Sequence, residues 1–67
     1  MTIEKAIKES GIKDFHGQDV NVEFKIGDWD HDETQLNPES KADLIAAWEE
    51  FCNENGWWRD CVTEVYE

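Results

Sequence analysis

Sixty-seven residues carry seventeen acids against six Lys and Arg, a formal net charge of -11 at pH 7. A chain of this size builds one small core, near the lower limit for a fold that needs no metal, disulfide or partner, and its negative field opposes direct binding to nucleic acid or to an anionic membrane. No apolar run approaches the roughly 20 residues that span a bilayer, and residues 1–11 lack the apolar stretch of a secretion signal, so the expectation is a cytoplasmic protein with Cys52 and Cys61 reduced.

Thr2 is a helix cap ahead of Ile3, Ala6 and Ile7, which share one face. Gly11 is placed to end this short helix in a left-handed conformation, with Ile12 packing back. His16 and Gly17 mark a turn. Val20, Val22, Phe24 and Ile26 then alternate with Asn21, Glu23 and Lys25, the pattern of a strand with one buried face. Gly27 breaks the pattern and opens the acidic stretch GDWDHDETQLNPES, in which residues 29–36 predict a further short strand. Asn37 as cap and Pro38 at the first helical position predict the start of the main helix, and Gly56 supplies its stop. At 100° per residue, Leu44, Ile45, Trp48, Phe51 and Cys52 fall in one apolar arc of that helix. Residues 58–66 predict a last strand, antiparallel to the first, with Cys61, Thr63 and Val65 on one side. The fold class is therefore α+β, one domain over residues 1–67: a small antiparallel sheet of two or three strands packed against one main amphipathic helix, with a short N-terminal helix.

The charge is unevenly placed: residues 1–25 hold five acids and four bases, and residues 26–67 hold twelve acids and two bases. Counted from Asp28, DWDHDETQLNPE sets Asp at positions 1, 3 and 5 and Glu39 at position 12, the ligand spacing of a calcium-binding EF-hand loop. Glu33 stands where that loop needs glycine, Gln35 where it needs an apolar anchor, and Pro38 at position 11. Calcium binding is thus the lesser reading. His16, His31, Cys52 and Cys61 are zinc-ligand types without the close paired spacing of a structural zinc site. Nothing singles out two of the many carboxylates as acid and base, no nucleophile has a base nearby, and no glycine-rich phosphate loop occurs. Neither enzyme activity nor a cofactor is expected.

On the main helix Glu39, Asp43, Glu50 and Glu54 fall within one stripe. Like charges at i, i+4 destabilise a helix by a few tenths of a kcal/mol per pair, and neither the Glu39/Asp43 nor the Glu50/Glu54 pair places a base there. Carboxylates four residues apart stand roughly 6 Å apart along the axis, which makes a phosphate-like row. With Asp28, Asp30, Asp32 and Glu33 leading into it, the stripe predicts a continuous anionic surface for a groove lined with Lys and Arg. Trp29 is expected to pack at a strand end and Trp48 in the core. Trp57 and Trp58 point to opposite faces if extended, leaving one exposed as a partner anchor; Arg59 is placed to pair with Asp60 or Glu64.

The segment GDWDHDETQ and the helix NPESKADLIAAWEEFCNENG resemble, in kind, the small acidic proteins that phages and mobile elements encode against bacterial defence, the anti-CRISPR and anti-restriction DNA mimics. The resemblance covers about half of the chain. It implies a non-enzymatic inhibitor in the cytoplasm of a bacterial host, bound to the basic DNA-recognition surface of a CRISPR effector subunit or a restriction enzyme so that target DNA is excluded. The expected contact residues are Asp28, Asp30, Asp32, Glu33, Glu39, Asp43, Glu50 and Glu54, with Trp57 and Trp58 at the rim. The alternative is an acidic protein-interaction or regulatory module that uses the aromatic patch of Trp57 and Trp58, or, less favoured, a calcium-binding loop protein.

Overall fold

The computed structural model describes residues 1–28 and 30–67; the expected strand-end position of Trp29 lies outside them. Helix α1 spans Ile3–Ser10, with the Thr2 side chain accepting from the Lys5 N–H and Gly11 closing the helix at φ 75°. Strand β1 spans Val20–Lys25, β2 His31–Leu36 and β3 Val62–Tyr66. Helix α2 spans Lys41–Asn55, and a single 3-10 turn, Arg59–Cys61, leads into β3. The three strands form an antiparallel sheet in the order β2-β1-β3. The expected α+β fold is the observed one, with residues 31–36 supplying the further strand.

Both helices serve one core on one face of the sheet. Val20, Val22 and Phe24 of β1 meet Leu44, Trp48 and Cys52 of α2, Ile3, Ala6 and Ile7 of α1, and Val62 and Val65 of β3 in a single buried cluster. Phe24 is its centre: its ring lies 5.4 Å from Trp48, 5.7 Å from Phe51 and 5.1 Å from Trp57. Each such pair adds about 0.5–1.5 kcal/mol beyond the area it buries. The polar end of Trp48 is satisfied as well, since its indole Nε1–H donates to the Arg59 carbonyl at 2.9 Å.

β1 ends at Lys25, so Ile26, expected on its buried face, is exposed. Two further local expectations are corrected. The main helix starts at Lys41 and not at Pro38, because Asn37 is committed elsewhere: its side-chain amide donates to the Gly17 carbonyl and to Asp19 Oδ1, and Gly17 N–H donates to the Pro38 carbonyl. Ser40 caps instead, accepting from the Asp43 N–H at 3.1 Å, while the Asp43 carboxylate accepts from the Glu39 N–H at 3.0 Å. This is close to a reciprocal capping box, displaced by one residue at the return bond. In the last strand, Val62 opposes Phe24 and Glu64 opposes Glu23, which leaves Thr63 as an extra residue, a β-bulge. Cys61, Thr63 and Val65 therefore do not share a side; Val62 and Val65 are buried and Thr63 is exposed.

Candidate functional site

Every carboxylate expected to make contact, namely Asp28, Asp30, Asp32, Glu33, Glu39, Asp43, Glu50 and Glu54, is exposed, but they do not form the continuous surface expected. Glu39 precedes α2 and sits beside Gly17 at the N-terminal end of that helix. Asp43, Glu50 and Glu54 keep their stripe on the outer side of α2. Asp28 and Asp30 lie in the β1–β2 turn, where Ile26 N–H donates to the Asp30 carbonyl. Asp32 and Glu33 are consecutive in β2 and so project from opposite faces of the sheet. Glu33 therefore stands on the open face, with the sheet and core between it and the α2 stripe.

The strand register assembles an acidic feature on that open face from residues outside the expected set. Glu23 is paired with Glu33 on one side and with Glu64 on the other, so three carboxylates stand abreast at strand spacing, roughly 5 Å from one to the next. Tyr66 O–H donates to the Glu33 carboxylate, which pushes the phenol up to about 12. Partial desolvation first, and then the neighbouring Glu64 and Glu33 carboxylates, raise Glu23 above its ordinary value, against a smaller opposing pull from His31. The alternation in β1 showed that Glu23 faces away from the core. Only the register could show which residues flank it.

Little of the charge is neutralised. Among the described residues, the Arg59 guanidinium meets Glu49 at 2.7 Å and His16 lies 3.5 Å from Asp14; no other carboxylate has a cationic side chain in ion-pair range. Arg59 thus pairs with Glu49 and with neither Asp60 nor Glu64 as expected. The last turn of α2 holds no base, although a helix C-terminus favours cations and disfavours a residue such as Glu54.

The EF-hand spacing does not produce an EF-hand loop. Its positions 4 to 9 are the strand β2, which at about 3.3 Å per residue holds Asp28 and Glu39 near opposite ends of a ladder roughly 20 Å long. The four zinc-ligand types do not converge: His16 is in the turn before β1 and His31 is in β2, apart from the neighbouring pair Cys52 and Cys61. No group of three or more His, Cys, Asp or Glu among the described residues is arranged to hold a metal ion. Both cysteines are free; burial first, and then the neighbouring Cys61, push the Cys52 thiol up to about 11.

The two adjacent tryptophans diverge. Trp57 is half-buried and packs its ring 5.1 Å from Phe24 and 5.4 Å from Phe51, whereas Trp58 is 84% exposed, the most exposed large apolar side chain among the described residues. Ile26, at the neighbouring hairpin, is 41% exposed. No helix among the described residues is long and apolar enough to cross a membrane. Comparisons with protein-family models, with curated proteins and with solved structures gave no match.

Proposed function

We propose that this chain is a non-enzymatic inhibitor that occupies a basic nucleic-acid-recognition surface in place of DNA, an anti-CRISPR protein directed at a CRISPR effector or an anti-restriction protein directed at a restriction enzyme. The observation that carries the reading is the uncompensated charge: among the described residues a single carboxylate, Glu49, is paired with a Lys or Arg side chain. Two arrangements add weight, because both destabilise the fold and serve no packing purpose. Like charges directly opposite one another in a sheet are unfavourable, as in the row Glu33–Glu23–Glu64. An acid in the last turn of a helix is likewise unfavourable, as with Glu54. Retaining negative charge where it weakens the protein is what a requirement for an anionic surface produces.

Long-range attraction would speed association and fade with salt, while the shape of the surface would select the partner. The test is capture with tagged protein of CRISPR or restriction complexes from bacterial lysate, followed by challenge with duplex DNA. Displacement by DNA supports competition for one site; capture that DNA cannot displace rejects it. Glu50→Lys with Glu54→Lys is the informative variant, since neither side chain makes a hydrogen bond or ion pair among the described residues, whereas Asp43 also caps α2. The second reading, an acidic interaction module that docks through an aromatic patch, is favoured by the exposure of Trp58. It predicts that Trp58→Ala weakens capture more than the charge reversal does.

A further inference from the structure

The exposed Trp58 sits on a backbone that is unusually well tied down for a surface segment. Its carbonyl accepts from Cys61 N–H at 3.4 Å and from the Cys52 thiol at 3.9 Å. On one side Trp57 N–H donates to the Cys52 carbonyl at 2.9 Å, and on the other the Arg59 carbonyl is held by Trp48 Nε1–H. The N-terminal ammonium then donates to the Asp60 and Val62 carbonyls at 3.0 and 2.8 Å. These bonds fix where the Trp58 backbone stands, so its indole, 84% exposed, is presented to solvent from an ordered segment.

Beside it lies a groove of about 380 Å³ between the β1–β2 hairpin and the end of α2, with Ile26 and Trp57 as apolar lining and Asp60 as its acid. Lys25, on the hairpin side, is the one base in that lining. Gly56, in the left-handed region at φ 70°, brings the C-terminal end of α2 to this groove; the last turn holds no base, and the Cys52 and Asn53 carbonyls accept from the Gly56 and Trp57 N–H groups. Lys25 and Asp60 offset each other within the groove, so the attraction for a cation comes from the indole face and from the net charge of -11, and an aromatic face beside a carboxylate on such a molecule suits a planar cation.

We infer that Trp58 and the adjoining groove receive an arginine side chain of a basic protein partner, the guanidinium lying on the indole face and donating to Asp60. This deepens the reading of an anionic competitor and rests on it. Arginine is favoured over lysine because a guanidinium is planar, weakly hydrated and forked, so it stacks on the ring and bridges to a carboxylate at once, whereas an ammonium is a compact, strongly hydrated point charge.

The experiment is calorimetric titration of the full chain with an octa-arginine and an octa-lysine peptide at moderate salt, for the wild type, Trp58→Ala and Glu50→Lys/Glu54→Lys. The wild type should prefer the arginine peptide. Trp58→Ala should lose about two- to thirty-fold in arginine-peptide affinity, the range of a cation–π contact from exposed to desolvated, lose less in lysine-peptide affinity, and so narrow the preference. The charge reversal should weaken both peptides together. Equal binding of the arginine peptide by wild type and Trp58→Ala overturns the assignment while leaving the anionic reading intact; failure of both peptides to bind the wild type removes the anionic reading and this inference with it. Sedimentation of the free chain supplies the remaining control: self-association that disappears in Trp58→Ala would show that the indole docks a second copy, which also overturns the assignment.

Discussion

Glu23 illustrates how a single residue reports the charge of its surroundings. Its folded-state pKa stands above the ordinary carboxylate value because the sheet partly desolvates it and sets Glu64 and Glu33 beside it. A carboxyl group raised on folding takes up a proton more readily in the folded state. Its contribution therefore opposes folding above the folded pKa and vanishes below the unfolded one, so stability should rise as the pH falls through the folded value toward the ordinary carboxylate value. Thermal unfolding across that window is the check, and Glu23→Gln should raise the midpoint at neutral pH and flatten the dependence. If Glu23→Gln proves no more stable than wild type at neutral pH, the three carboxylates do not repel as their register implies. Trp48 is the opposite kind of residue, fully buried with its one polar atom bonded. Trp48→Ala should cost about 3–5 kcal/mol in denaturant unfolding, the range for truncating a buried aromatic, which is most of the stability of a domain this small.

At the scale of the element, α2 is bounded by two devices of different legibility. Gly56 adopts φ 70°, a conformation that L side chains enter only at a cost of about 1–2 kcal/mol, so Gly56→Ala should lower stability by roughly that amount. This stop was readable because glycine after an apolar arc has one common use. The start was not, since Asn37 and Pro38 make an equally good local signal that is overridden by bonds from Asn37 to a turn some twenty residues earlier. Ser40→Ala should therefore cost about 1 kcal/mol, and Asn37→Ala should loosen the turn at residues 16–19 without fraying the helix; amide hydrogen exchange at Asp43 and Gly17 separates the two outcomes. The bulge at Thr63 belongs to the same class, because the break in alternation of β3 follows from its pairing with β1 and not from its own residues.

For the whole molecule, the dominant quantity is the net charge of -11, carried by a domain whose radius of gyration is 11.0 Å. That radius is close to the Debye length of about 10 Å at 0.1 M salt, so added sodium chloride should screen much of the self-repulsion and raise the unfolding midpoint between about 0.01 and 0.3 M. Binding to a basic partner should move the other way and weaken with salt. A protein whose stability falls and whose partner binding strengthens as salt is added would contradict the electrostatic account at both ends.

Composition gave the sign of the field, and features that act over one or two turns of chain were legible from the residues alone: the caps at Thr2, Gly11 and Gly56, the inward face of Val20, Val22 and Phe24, and the apolar arc of α2. These depend on backbone dihedrals and side-chain period, and both are local. How the carboxylates are shared out between the faces depends instead on the assembled fold. The antiparallel order β2-β1-β3 sets Glu33 and Glu64 on either side of Glu23. Covering one face of the sheet with both helices parts that row from the α2 stripe, and tying the chain between Cys52 and Val62 turns Trp57 inward and Trp58 to solvent. Register and layering depend on residues far apart in the chain meeting across a shared core, and no local pattern carries that information.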